Sequence, residues 1–265
     1  MLNDLTIRFA SSVALGVPFL LSVYAGTPYF DLWILAAIIV LAWEWYRLTQ
    51  SAGGMFGFRG MMFVLCALVA VLAAALVSPL IGVIVAGAAA MGMLVPGQGN
   101  GWLAGGMVYL VFPCSALLWL RHDAADGQAM TFWLIAIVWA TDIGAYFSGR
   151  LIGGPKLAPA ISPNKTWAGM LGGALAAAIV GAVATSMTSA ESLVAMVAVS
   201  VATGVCAQFG DLGESWLKRR FGAKDTSALI PGHGGVLDRV DGLMAAALLL
   251  ALIEVSREGS MFRWL

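Results

Sequence analysis

The chain has 265 residues, 61% of them hydrophobic and 11% charged, and its fourteen basic and fourteen acidic side chains give a net charge of zero. Soluble domains are about half apolar and about a quarter charged, so this composition excludes an ordinary soluble globular domain. The neutral balance also excludes the basic excess with which nucleic-acid-binding proteins neutralise phosphate.

Apolar runs bounded by polar or Gly/Pro clusters predict nine spans, at roughly 9–25, 29–47, 60–78, 79–95, 102–120, 130–149, 167–187, 191–210 and 242–256. Most approach or exceed the roughly 20 residues needed to cross a bilayer core. The fold class predicted is all-α: a polytopic integral membrane helical bundle of about nine transmembrane helices. It is read as one membrane domain over 1–265, with N-terminal helices in 1–128 and catalytic helices with cytoplasmic-side loops in 129–265.

The first span follows Arg8 and is trailed by no convincing small-residue cleavage site, so it is expected to stay uncleaved. Glu44 lies among Trp43, Trp45 and Tyr46 near Arg47, a setting that reads as an interfacial aromatic belt. Only Ser78-Pro79 separates the third and fourth spans, which leaves open a tight helical hairpin or a single kinked element. Cys66, Cys114 and Cys206 sit apart inside apolar segments and read as packing residues, without the spacing of a metal or redox site. Arg121-His122-Asp123 followed by Asp126 imitates metal-ligand spacing but reads as a solvated loop. Gly169 to Ala178 and Ala245 to Ala247 are rich in small residues, which let helix backbones approach closely in a membrane.

Asp142 lies in the sixth span within Trp139-Ala140-Thr141-Asp142-Ile143-Gly144-Ala145-Tyr146, where an ionisable residue is costly and points to a functional or paired role. Two connections then carry eight of the fourteen cations: Arg150, Lys156 and Lys165 in the first, and Lys218, Arg219, Arg220, Lys224 and Arg239 in the second. Two spans separate these connections, so the chain returns to the same side between them. That side would also hold Arg8, Arg47 and Arg59, against Arg121, Arg257 and Arg263 opposite, and the positive-inside rule makes it cytoplasmic. Setting aside the eight cations of the two connections as residues placed for function leaves three against three.

The first connection ends in Ser162-Pro163-Asn164-Lys165-Thr166, which gathers hydroxyls, an amide and an ammonium suited to phosphate, with helix capping as the alternative. It lacks the glycines of a Walker A loop. In the second, Asp211, Glu214, Ser215, Lys218 and Arg219 share one helical face, suited either to a metal-bound polyphosphate or to lipid headgroups. Then come Lys224-Asp225, the glycine-rich Pro231-Gly232-His233-Gly234-Gly235, and Asp238-Arg239 with Asp241 one turn on. These carboxylates suit magnesium, with capping again the alternative.

The mixed pattern of Ser215, Lys218-Arg219, Lys224-Asp225, Ser227, Ile230-Pro231, His233-Gly234-Gly235, Asp238-Arg239 and Asp241 resembles the signature of the phosphatidate cytidylyltransferases, also called CDP-diacylglycerol synthases. The resemblance extends upstream to Asp211, Ser162–Thr166 and Asp142–Tyr146. One departure is Ala168, where the family commonly has glutamate.

The resemblance implies transfer of CMP from CTP to phosphatidate, giving CDP-diacylglycerol and pyrophosphate in phospholipid biosynthesis. It implies magnesium (Mg2+), with a second cation left open, held by Asp211, Asp238 and Asp241. Lys218, Arg219, Lys224 and Arg239, with Asp225, would complete the catalytic set. Asp142, Ser162, Asn164, Lys165, Thr166, Ser215, His233, Gly234 and Gly235 would contact substrate. The partners implied are CTP, phosphatidate and the lipid bilayer, with no nucleic acid and with a homodimer as a family expectation. The setting implied is the bacterial cytoplasmic membrane, with the active site on its cytoplasmic side. Two rivals stand: a CDP-alcohol phosphotransferase, whose Asp-Gly and Ala-Arg spacing is absent, and a transporter, against which charge gathers at one face.

Overall fold

The computed structural model describes residues 2–50, 56–94, 101–122, 126–188 and 190–255. Asp123, Arg257 and Arg263 lie outside the described residues. In order come α1 (Leu2–Ala25), α2 (Tyr29–Gln50), α3 (Phe58–Leu76), α4 (Pro79–Met93), α5 (Gly101–His122), α6 (Gly127–Leu151), β1 (Lys156–Ala158), β2 (Ser162–Thr166), α7 (Trp167–Met187), α8 (Leu193–Arg220) and α9 (Leu237–Val255).

The architecture is that of an all-α polytopic membrane protein. Among the described residues six helices, α2, α3, α5, α6, α7 and α8, are long and apolar enough to cross a membrane. The apolar part of α1 runs only over Phe9–Ala25, and α4 has 15 residues. α9 opens with Asp238, Arg239 and Asp241, which interrupt its apolar character. Helices dominate because a helix satisfies its own backbone polar groups where no water can.

The chain forms two compact units, Met1–His122 with Arg220–Val240, and Asp123–Arg219 with Asp241–Leu265. In the first, α2 packs against α1, α3 and α5, and α4 packs against α3 and α5. Phe30, Ile38, Leu41, Phe63, Met107, Leu110 and Leu118 fill the centre. The third and fourth predicted spans are separate helices. The Ser78 hydroxyl accepts from Ile81 N (3.3 Å), and Pro79 takes the first helical position, where its missing N–H costs nothing. Arg121 and His122 are not part of a solvated loop: Arg121 Nε donates to Val23 O (2.7 Å), and His122 Nε2 lies 2.7 Å from Asp31 Oδ1. They tie the end of α5 to the α1–α2 connection.

In the second unit α6 and α7 pack closely through small residues. A Cβ on Gly144 would fall 2.7 Å from Gly172 O and from Ala176 Cβ. α8 is one unbroken helix of 28 residues, running ten past the predicted span to Arg220. Its added turns are polar on one face, so hydropathy alone ended the span too early. The segment before α7, seen in the sequence only as polar, is the second strand of an antiparallel pair in which Lys156 faces Thr166 and Ala158 faces Ser162.

Gly144→Leu should weaken the α6–α7 seam by about 1–3 kcal/mol through overpacking, whereas Gly87→Ala, with nothing within 4 Å of the new Cβ, should not destabilise. Thermal unfolding of both variants in detergent checks this contrast.

Candidate active site

The second unit gathers charge where β2, α8 and the start of α9 supply side chains. Lys165, on β2, places Nζ 2.6 Å from Asp211 Oδ2 on α8 and 3.4 Å from the Gln208 carbonyl oxygen. The Ser215 hydroxyl, one turn after Asp211, donates to its Oδ1 at 3.3 Å. A further turn along, Lys218 pairs with Glu214 (2.6 Å), whose side chain is fully buried. The shared face read from the sequence therefore exists, and Glu214 is the residue that fixes Lys218. Asp211 and Asp142 lie within electrostatic reach of the Asp241 carboxyl, as does Lys218, which offsets their repulsion. Asp142 is exposed on α6.

Other predicted residues of this unit have more local duties. Thr166 is buried, and its hydroxyl accepts from Gly169 N (3.0 Å), capping α7. Ser162 is half-buried and Asn164 exposed on β2. Arg219 Nε points to Ile161 O at 3.5 Å, a weak contact beside the same strand pair.

The first unit holds the glycine-rich loop. His233 N donates to Ile230 O (2.9 Å) around Pro231 and Gly232, and Gly232 has φ +77°. This is a turn with proline second and a positive-φ glycine third. Ile230 N then donates to Gly234 O (2.8 Å), closing the loop. Gly234 has φ +86°, and a Cβ there would also press 2.9 Å from Asp238 Oδ2, so only glycine fits. The His233 ring sits 2.9 Å from Ser11 Oγ through Nδ1 and 3.2 Å from Ser12 Oγ through Nε2, and its carbonyl accepts from Arg239 Nε (3.1 Å). Lys224 and Asp225 are exposed just before Thr226.

Two carboxylates hold this loop. Asp238 Oδ2 accepts from Gly235 N (2.7 Å), Thr226 N (2.9 Å) and Thr226 Oγ1 (3.0 Å). The other is Glu44, on α2 and fully buried. Its Oε1 accepts from Ser227 Oγ (2.6 Å) and Val236 N (2.9 Å), and its Oε2 from Leu237 N (2.7 Å), with Thr226 Oγ1 at 3.4 Å. A Cβ on Gly235 would lie 2.6 Å from Glu44 Oε1 and would also collide with Thr226 Oγ1. Reading Glu44 as part of an aromatic belt missed this. The signal was available, because a carboxylate inside an apolar span is costly unless partnered, the same rule that singled out Asp142.

Among the described residues no group of three or more His, Cys, Asp or Glu side chains is placed to hold a metal ion. Magnesium is usually held by one or two carboxylates, with substrate phosphates and water completing its six ligands. Asp211 and Asp241 supply a hard-oxygen pair of that kind, with cationic Lys165 and Lys218 beside them, so the residues fit a metal that arrives with a polyphosphate.

Fold and side chains together define a helical membrane protein whose second unit clusters paired cations and carboxylates. The Cytidylyltransferase family model matches residues 6–256, and the chain belongs to that family. A protein of Brucella suis named phosphatidate cytidylyltransferase is 41% identical over 255 residues, covering 95% of this chain and 93% of that one. Proteins of the same name from Haemophilus influenzae (44% over 130 residues, 47% of this chain and 45% of that one) and Staphylococcus haemolyticus (41% over 132 residues, 49% and 51%) match about half of it.

Lys218→Met should destabilise the protein by about 3–5 kcal/mol by stranding a buried carboxylate, and the added change Glu214→Gln should recover part of that loss. Unfolding of the single and double variants in detergent provides the measurement.

Proposed function

We propose that this chain is a phosphatidate cytidylyltransferase, which transfers the cytidylyl group of CTP to phosphatidate. The observation that carries this reading is the 41% identity, across 95% of the chain, to a relative of that name. The site chemistry agrees with it. A phosphatidate oxygen forms a bond to the α-phosphorus of CTP, the bond from that phosphorus to the bridging oxygen of the β-phosphate breaks, and pyrophosphate leaves with the bond's electrons. The products are CDP-diacylglycerol and pyrophosphate. Phosphate monoesters have a second pKa near 6 and are largely deprotonated at neutral pH, so the attacking oxygen needs no strong base. No protein nucleophile is required.

What the reaction needs is neutralisation and alignment of two anions. In the second unit Lys165 and Lys218 balance phosphate charge, each steered by a carboxylate, Asp211 or Glu214. Ser162, Asn164, Ser215 and Arg219 support phosphate binding there, Thr166 contributes by capping α7 beside them, and Asp142 adds negative charge behind the set. Magnesium, held by Asp211 and Asp241, would neutralise the triphosphate and polarise the phosphorus under attack. In the first unit Asp238 commits Oδ2 to the loop, and its metal role, like phosphate roles for Lys224, Asp225 and Arg239, is what the family resemblance implies. His233, Gly234 and Gly235 shape that loop, which suits a nucleotide.

The finer setting follows from this reading. CTP is cytoplasmic, which puts the catalytic side at the cytoplasmic face of a bacterial inner membrane, with nine helices crossing the bilayer. A homodimer remains a family expectation.

Purified protein given labelled CTP, phosphatidate and magnesium should form CDP-diacylglycerol and pyrophosphate, and reproducible absence of both products refutes the reading. Asp211→Asn and Asp241→Asn should each lower kcat about 100-fold or more while the protein stays folded in detergent. EDTA should abolish turnover and magnesium should restore it. Asp238→Asn with near-normal magnesium-dependent activity would remove that residue from the metal assignment.

A further inference from the structure

We infer that Glu44 is a positioning residue for the proposed cytidylyl transfer, clamping both ends of the Thr226–Leu237 loop so that His233, Asp238 and Arg239 are held in register. This inference rests on the function proposed above, but its structural half can be tested without turnover.

Three observations carry it. The Glu44 side chain is fully buried within the Leu32–Tyr46 stretch of α2, otherwise apolar and aromatic, where an unpartnered carboxylate would be prohibitive. Its two oxygens nevertheless meet donors at both ends of one loop. Ser227 Oγ and Thr226 Oγ1 come from the loop's start, and Val236 N and Leu237 N from its finish. Leu237 opens α9, so Glu44 also acts as a capping acceptor supplied from another helix, where the α9 dipole favours negative charge.

The second carboxylate of the clamp shows why this matters for the site. Asp238 Oδ2 accepts from Thr226 N and Oγ1 and from Gly235 N, so Thr226 lies between Glu44 and Asp238 and touches both. A shift at Glu44 therefore moves the residue against which Asp238 is fixed. Gly235 has no room for a side chain because the Glu44 carboxylate and the Thr226 hydroxyl already fill that space. Between the clamped ends, the Ile230–Gly234 turn carries His233, whose carbonyl receives Arg239 Nε.

The carboxylate is specifically required. All the partners of Oε1 and Oε2 are donors, two of them backbone amides that can do nothing but donate. In Glu44→Gln the side-chain NH2 must face one of these amides, leaving both unsatisfied in a fully buried site. A substitution that keeps size and shape thus inverts the hydrogen-bonding sense of half the clamp.

The test uses the full chain in detergent, with Glu44→Gln, Ser227→Ala and the double variant. Glu44→Gln should lower kcat about tenfold or more, as expected for loss of charge-assisted bonds. Ser227→Ala, which removes one donor, should have a smaller effect. The double variant should be no worse than Glu44→Gln, because both changes act on one clamp. Hydrogen exchange should quicken about tenfold or more in residues 226–237 of Glu44→Gln and stay unchanged in α3 and α4.

Wild-type kcat in Glu44→Gln overturns the inference, as does additivity in the double variant. Faster exchange throughout α2–α5 also overturns it, by making Glu44 a general packing residue. If Glu44→Gln does not fold, Ser227→Ala decides: local loosening with reduced kcat supports the clamp, and unchanged exchange and kcat overturn it. A wild-type protein without cytidylyl transfer would refute the proposed function instead, and unaltered loop exchange in Glu44→Gln would still sink the clamp.

Discussion

A buried polar group must find its partner within the protein, and the Thr226–Leu237 loop meets this demand through two carboxylates. Glu44 and Asp238 together accept from the amides of Thr226, Gly235, Val236 and Leu237 and from the hydroxyls of Thr226 and Ser227. Four backbone N–H groups that no helix or sheet satisfies are thereby paired. The tight turn at Pro231-Gly232, the absence of side chains at Gly234 and Gly235, and the starting point of α9 all follow from this arrangement. The first compact unit accordingly includes Arg220–Val240 as well as its N-terminal helices.

The second unit concentrates charge and compensates part of it internally. Lys165 with Asp211 and Lys218 with Glu214 each pair a cation with a carboxylate at 2.6 Å. Such pairs hold long lysine side chains in place. Of the two carboxylates, the half-exposed Asp211 side chain is accessible from outside the protein. The buried Glu214 is not, which fits a residue that orients Lys218.

The two kinds of site residue differed in how legible they were. Asp211, Ser215, Lys218, Asp238, Arg239 and Asp241 could be found because helical spacing converts sequence distance into spatial distance. The strand pairing of Lys156 with Thr166 was not visible, since five residues containing a proline carry little periodicity. For Glu44 the sequence offered the cost of a carboxylate inside an apolar span but not the identity of its partners, for a deeper reason. Its partners lie between 182 and 193 positions away, and no local pattern encodes a contact of that range. Likewise His122, read as part of a loop, meets Asp31 at a separation of 91.

By itself, then, the sequence determined the membrane-helical class, the places of the nine helices among the described residues to within a few residues at most ends, and the charged motif that marks the family. Those features are local or periodic, and the cost of exposing backbone to lipid leaves few alternatives to helix. Only the tertiary structure decided which polar side chains hold the chain. It gave Asp238 Oδ2 and Glu44 to the loop, Thr166 to the cap of α7 and Glu214 to Lys218. Those roles depend on which donors packing brings within about 3 Å, and hydrogen bonding is too short-ranged and directional for composition or spacing to determine.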